Sequence, residues 1–412
     1  MNDETMNFDG KIEKLPAIAP SRAALPSASK LRVALFSGNY NYVKDGANQA
    51  LNKLVAFLET QGAQVRVYSP TVAEPAFPPA GTLISAPSIP VPFRTEYRIA
   101  LGLPRYIKRD LDAFKPNIIH ISAPDPLCRG AVKYGRKRGL VTVASVHTRF
   151  DTYLRYYRLG ALERYLSTKI NKVYNQCNEI FVPTPCMETT MRETGVTVPI
   201  KKWSRGVDDK LFNPAQRDLT WRKTLGFEKQ DVVISFVGRL VLEKGLEQFV
   251  AAINFLRRKG LTPHVMVVGD GPARKWFQQR LPDAKFLGFL TGKELARAYA
   301  SSDIFFNPSR TEAFGNVTLE AMASGVPQVC VDATGSRFLV RHAETGFLAP
   351  PDDATAMAQH LEELITNPCL RRAFSAASTA RSRHFHWDNI LLEVLSHYQR
   401  SLVGKAEQTN IL

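Results

Sequence analysis

DVVISFVGRLVLEKG, residues 231–245, opens on a short apolar run that halts at Gly238 and Arg239. An apolar run of that length, rich in β-branched residues and closed by turn formers, predicts a strand buried on both faces. Working outward, the same unit recurs on both sides. HVMVVGDG, AKFLGFL, DIFFNPS, VPQVCVD and GFLAP follow as strand candidates with helices between them. LRVALFSG, AQVRVYSP, PNIIHIS, VTVASVH and EIFVPT precede it in the same rhythm. Strands alternating with helices predict α/β architecture, with parallel sheets covered on both faces.

A chain of 412 residues exceeds one ordinary core, and the pattern restarts after SRGVDDKLFNP, so two domains are expected. Residues 1–30, rich in Pro, Ala and Ser without periodicity, read as a disordered tail. The first domain is expected over 31–207, a linker over 208–230 and the second domain over 231–387. A closing helix over 388–405, with Ile390, Leu391, Val394, Leu395 and Tyr398 in one stripe, is expected to pack back on the first domain.

A net charge of +16 and a pI near 9.6 favour an anionic partner such as a phosphorylated substrate, an anionic membrane or nucleic acid. Five scattered cysteines without a CxxC pair exclude a disulfide framework and a zinc site by spacing, and point to a reducing compartment. No apolar run reaches the roughly 20 residues of a membrane span. Together these predict a cytoplasmic protein at the inner face of a membrane.

Ligands of such folds bind beyond the carboxyl ends of the strands, so the residues there are the ones to read. Arg239 and Lys244 follow one strand and suit a diphosphate leaving group; a surface pair with Glu243 would explain the same residues. Gly269 and Gly271 flank Asp270 after another, allowing close backbone approach, although a tight turn needs the same glycines. The densest stretch is NPSRTEAFGNVTLEAMASG. Asn316 and Glu320 lie four apart on one helical face, and Gly315 leaves the turn without a Cβ where a phosphate would approach. Glu312 and Glu320 suit hydroxyls; capping and surface charge are the plain alternatives. In the first half His147 ends a strand, and Gly46 opens a helix in the first strand–helix loop.

EAFGNVTLEAMASGVPQV, with glutamates 312 and 320 eight apart, and FVGRLVLEKG together resemble the retaining glycosyltransferases of family 4, supported by RGVDDKLFNP and VVGDGPAR. The resemblance implies the GT-B fold, two Rossmann-like domains facing across a cleft, the first acceptor-side and the second nucleotide-sugar-binding. DGANQAL and SVHTRFDTYLRYY are similar to members acting on lipid or lipid-linked acceptors, such as sulfoquinovosyl-diacylglycerol synthases and GDP-mannose-dependent mannosyltransferases. By motif position, Arg239 and Lys244 would hold the donor diphosphate, with Gly269, Asp270 and Gly271 on the donor side. Glu320 would bind the ribose, and Glu312 with the Phe314-Gly315-Asn316 backbone would face the donor sugar and phosphate. His147 would contact the transferred sugar and Gly46 would line the diphosphate. The first loop departs from the family pattern: SGNYNYVKDG stands where relatives often carry a Gly-Gly pair.

The resemblance further implies an α-linked product formed by front-face attack, the leaving phosphate helping to remove the acceptor proton. No aspartate pattern suggests a metal site, so no metal and no cofactor are expected beyond the UDP- or GDP-sugar substrate. Residues 94–115 and 149–172 mix Arg and Lys with Tyr, Leu and Ile, as segments lying on anionic lipid do, or as core-facing helices with snorkelling cations do. No nucleic-acid recognition motif accompanies the basic residues. The competing readings are a soluble-acceptor transferase, a sugar-nucleotide epimerase on the same fold, and a basic binding module without turnover.

Overall fold

The computed structural model describes residues 25–43, 46–91, 94–146, 163–312 and 314–410. His147, most of the 149–172 segment and residues 1–24 of the expected tail lie outside the described residues. Within 25–30 the chain is ordered, with a 3-10 turn at Ala28–Lys30 capped by Ser27.

The chain divides into two units, one holding residues up to Trp203 together with Leu391 onward, the other Ser204–Ile390. In chain order the first unit carries β1 (Arg32–Phe36), β2 (Gln64–Ser69), β3 (Thr82–Ser85), β4 (Ser88–Val91), β5 (Arg94–Ala100), β6 (Ile118–Ile121), β7 (Val141–Ser145), β8 (Glu179–Val182) and β9 (Ile200–Lys202). Seven of these form a sheet in the order β3-β2-β1-β6-β7-β8-β9, every neighbouring pair parallel. β4 and β5 form a separate antiparallel hairpin. The second unit carries β10 (Val233–Val237), β11 (His264–Val268), β12 (Lys285–Gly288), β13 (Ile304–Asn307), β14 (Gln328–Val331) and β15 (Gly346–Ala349), in the order β12-β11-β10-β13-β14-β15, again all parallel. Both orders are Rossmann windings that reverse beside the first strand of the unit.

Burial explains which strands the sequence announced. β1, β6, β7, β8, β10 and β13 are buried along nearly their whole length, so their residues must be apolar on both faces. In the second unit Ile234, Phe236, Phe249, Ile253, Phe277, Phe306 and Val329 meet in one core, each contributing about 1.5–3 kcal/mol by leaving water. The 94–115 segment, read as one basic-apolar stretch, is instead β5 followed by the helix Arg105–Phe114, which buries Ile107, Leu111 and Phe114.

Residues 208–230, expected as a linker, belong to the second unit and carry the helix Leu219–Thr224. Arg222 fixes them. It is 1% exposed and donates to the Ser301 carbonyl at 2.6 Å, to Asp303 Oδ2 at 2.9 Å, and to the Glu228 and Asp231 carbonyls.

The last helix, Trp387–Asn410, belongs to the first unit from Leu391 onward and packs there through Leu391, Val394, Leu395 and Tyr398 of the expected stripe, all buried, while Ile390, also buried, falls in the second unit. Its Tyr398 hydroxyl meets His120 Nδ1 on β6, His120 Nε2 meets Ser145 Oγ at 2.9 Å, and Ser401 donates to Glu179 at 2.8 Å. The rings of His120, Phe181, Trp203 and Tyr398 pack around this link. Burial lowers the His120 pKa to about 3, against about 6.5 in an unfolded chain. Between those values the unfolded chain binds a proton that the native state refuses, so stability falls on acidification by up to about 1.4 kcal/mol per pH unit. His397, lowered to about 4 by burial, adds to that limb, whereas the raised Glu179 opposes it. His120→Gln is expected to flatten the fall, read as urea midpoints at pH 7 and 4.5. An unchanged difference between the two pH values would reject the assignment.

Candidate active site

β10 and β13 lie side by side, and the chain leaves them toward opposite edges of the sheet; a crevice opens beyond the strand ends at such a reversal. Gly238, Arg239 and the turn Leu242–Lys244 follow β10, while Pro308–Glu312 follow β13. The two loops touch. A Cβ added at Gly245 would sit 2.5 Å from the Pro308 carbonyl oxygen, and Lys244 Nζ reaches Glu312 Oε1 at 2.6 Å. Their side chains are 20% and 18% exposed, so this is a partly desolvated pair whose charges act strongly on anything beside them. Arg239 is far wetter at 61%, its nearest acid Glu243 at 3.9 Å.

The 267–272 turn packs against the same region. Leu240 N donates to the Asp270 carbonyl at 2.9 Å, and Ala273 N to the Leu240 carbonyl at 2.9 Å. A Cβ at Gly269 would collide with the Gly238 carbonyl oxygen, and one at Gly271 with that of Leu240, so both glycines are required for packing whether or not a ligand is near. The exposed Asp270 carboxylate is already engaged by Gly271 N and Arg274, which hold its pKa down. That structural engagement is the plainer account of Asp270.

The helix Asn316–Ala323 begins at Gly315, whose φ of +94° suits glycine and whose lack of a side chain leaves the helix start without a side-chain cap. Phe314 is buried against Phe338 and Phe385, so only its backbone is free to meet a ligand. Glu320 lies one turn into the helix. The fully buried Tyr299 donates to Glu320 Oε2 at 3.0 Å, which favours the carboxylate, but burial prevails and raises Glu320 to about 7. Asn307 Nδ2 donates to Thr318 Oγ1 at 3.2 Å, pinning the strand end to the helix. Gly335 N donates to the Glu312 carbonyl at 3.1 Å. Tyr299, Asn307 and Gly335 were not among the residues read from sequence. Tyr299 sits in an ordinary helical apolar pattern, and nothing local marks it as the partner of a glutamate 21 residues away.

Two family models match the chain: "Glycosyltransferase Family 4" over residues 44–211 and "Glycosyl transferases group 1" over 231–367. A GDP-mannose-dependent alpha-mannosyltransferase of Mycolicibacterium smegmatis is 30% identical over 383 residues, covering 90% of this chain and 98% of that protein. The chain belongs to the family 4 glycosyltransferases. The sulfoquinovosyl transferase SQD2 of Arabidopsis thaliana is 28% identical over 90% of this chain and 73% of its own. Among solved structures, sucrose-phosphate synthase of Thermosynechococcus elongatus superposes with a TM-score of 0.74 at 20% identity, covering 91% of this chain and all of that one. The two α/β units are thus those of a GT-B glycosyltransferase.

In this glycosyltransferase the second unit gathers Lys244, Glu312, Gly315, Asn316 and Glu320, with Arg239 at the rim. Gly46 starts the helix Gly46–Thr60 in the first unit, and His147 lies outside the described residues.

Proposed function

We propose that this glycosyltransferase moves a sugar, with retention of configuration, from a UDP- or GDP-linked donor to a lipid or lipid-linked acceptor. The observation that carries the proposal is the Lys244–Glu312 pair lying on the loops that flank an uncapped helix start, with Glu320 one turn further on. Cation, helix N-terminus and paired carboxylates match the parts of a sugar nucleotide: diphosphate on Lys244, Arg239 and the backbone of Gly315 and Asn316, ribose hydroxyls on Glu320, sugar hydroxyls on Glu312. In the step itself the bond from the sugar's anomeric carbon to the diphosphate oxygen breaks as the bond to the acceptor oxygen forms on the same face. The acceptor proton passes to the departing diphosphate. No carboxylate nucleophile is needed, and Lys244 and Arg239 supply the positive charge a metal would otherwise bring.

The relatives named for GDP-mannose and for sulfoquinovosyl transfer support a glycolipid product. The surface of the first unit supports a membrane-bound acceptor. Ile89 and Ile99 pair across the β4–β5 hairpin, 49% and 39% exposed, with Leu101 and Tyr106 exposed beside them and Arg105, Lys108 and Arg109 exposed on the next helix. Exposed aliphatic and aromatic groups rimmed by cations suit an anionic bilayer face. We place the enzyme peripherally at the inner face of the membrane. Among the described residues no helix is long and apolar enough to cross one.

Nucleoside-diphosphate release from a panel of UDP- and GDP-sugars, with and without bacterial lipid vesicles and with EDTA, tests the reading. One donor is expected to dominate, to require lipid and to survive EDTA. Release independent of lipid would move the acceptor to a soluble sugar; a changed sugar nucleotide without release would make the protein an epimerase.

A further inference from the structure

The sheet of the first unit reverses between β1 and β6. Two short turns leave the carboxyl ends of these strands side by side, Ser37–Asn39 and Ser122–Asp125, tied where Ser122 N donates to the Phe36 carbonyl at 2.9 Å. Most polar groups here are matched. Ser37 Oγ donates to the Asn39 carbonyl at 2.5 Å, and the Tyr42 hydroxyl donates to the Gly38 carbonyl at 2.6 Å. Asp125 Oδ1 accepts from Cys128 N at 2.8 Å and so caps the helix Pro126–Lys137.

Three atoms are left over. Asp125 Oδ2, Asn39 Nδ2 and Asn39 Oδ1 are all buried and without a hydrogen-bond partner. A Cβ built on Gly38 would lie 2.9 Å from Asp125 Oδ2, so the second carboxyl oxygen hangs over the one residue of the turn that has no side chain to crowd it. Each unmatched buried polar atom costs about 1–3 kcal/mol, and a native structure that carries three on two adjoining turns needs a reason. Capping does not supply it, since one oxygen suffices for a cap. Burial also raises the Asp125 carboxyl above the usual range, against the amide bonds that lower it.

The chemistry of the three atoms selects the ligand. A phosphate would be repelled by Asp125. An ammonium group would satisfy Asp125 but leave the Asn39 amide donor unmatched. Hydroxyls donate and accept, and a neighbouring pair fits an acceptor-only oxygen on one turn and an amide on the adjoining one. We propose that Asn39 and Asp125 bind two neighbouring hydroxyls of the acceptor, in a polyol or sugar headgroup. The proposal rests on the transferase reading given above.

Asp125→Ser keeps a capping oxygen and removes Oδ2; Asn39→Ala removes the amide and touches no cap. For each, nucleoside-diphosphate release is followed against lipid vesicles, and separately against glycerol and methyl glycosides, with nucleoside-diphosphate affinity and melting measured alongside. Both variants are expected to lose at least about tenfold in kcat/KM for the hydroxylated acceptor while donor affinity, background hydrolysis and melting hold. Response to vesicles alone assigns the hydroxyls to a lipid headgroup, response to the free polyols to a soluble one. Should Asp125→Ser melt early, Asn39→Ala decides. Acceptor kinetics within twofold of wild type overturns the proposal, as does a wild type that hydrolyses donor but gains nothing from any hydroxylated acceptor. A wild type that neither binds nor turns over any donor overturns the transferase reading itself.

Discussion

Lys244→Ala is expected to lower kcat/KM for the nucleotide sugar by about two to three orders of magnitude, with little loss of stability. The size follows from the surroundings of the ammonium group. It sits 2.6 Å from Glu312 Oε1 with both side chains largely shielded, so its charge is weakly screened. On the proposed reading, removing it takes away the cation that would face the developing charge on the diphosphate. It also takes the ammonium group away from the Glu312 carboxylate, whose negative charge would then weigh more against an anionic substrate. Glu312→Gln separates the two effects: the freed Lys244 should hold nucleoside diphosphate more tightly while sugar transfer falls. Arg239 is three-fifths exposed, so Arg239→Ala should cost only about tenfold. Steady-state release across donor concentration, with nucleoside-diphosphate affinity by calorimetry, checks this. Retention of kcat/KM within threefold in Lys244→Ala would remove the residue from the donor site.

How much of this was legible in the sequence depends on what each part of the molecule is made of. The central strands announced themselves because a strand buried on both faces has to be an apolar run, as VVISFV and NIIHI are. β3 did not, because it is partly exposed along its length and gives no clean pattern. The β4–β5 hairpin was hidden by Pro90 and the arginines of RTEYRIA, which look amphipathic at any period. In the site, the Glu312 and Glu320 spacing could be read because a helix start fixes it locally. The pairing of Lys244 with Glu312 could not, since it joins residues 68 apart through the reversal of the sheet. The same holds for Tyr299 under Glu320, and for Asn39 and Asp125, whose turns adjoin only because β1 and β6 are neighbours.

Residues 208–230 show the same limit most sharply, and they yield the largest stability effect. Their sequence has no apolar period, and the most buried of the groups that anchor them is one polar side chain, Arg222. Arg222→Ala is expected to destabilise the second unit by about 3–5 kcal/mol, as loss of one partner of a buried ion pair does. The substitution strands the carbonyls of Ser301 and Asp231, leaves that of Glu228 with only a long bond from Asp231 N at 3.3 Å, and leaves Asp303 to Arg217 and Val233 N. Arg217 binds the same carboxylate at 2.7 Å and also the Ala300 and Ser302 carbonyls, but it is one-third exposed and water can replace it, so its own removal should cost only about 1–2 kcal/mol. Arg222→Lys should not rescue, because one ammonium cannot reach acceptors on three sides of a planar fork. For a domain of this size the loss corresponds to a fall in Tm of roughly 6–20 °C, read by urea unfolding and thermal melting. The effect should reach the proposed donor site as well. Ser301 and Asp303 lead directly into β13, whose far end carries Asn307 and the loop to Glu312, so a slackened Asp303 loosens the strand that positions the Lys244–Glu312 pair. Below the new melting point, donor KM should therefore rise in Arg222→Ala but not in Arg217→Ala. A stability change under 1 kcal/mol would mean that the apolar contacts of Phe212 and Phe227, and not the guanidinium, hold this segment to the sheet.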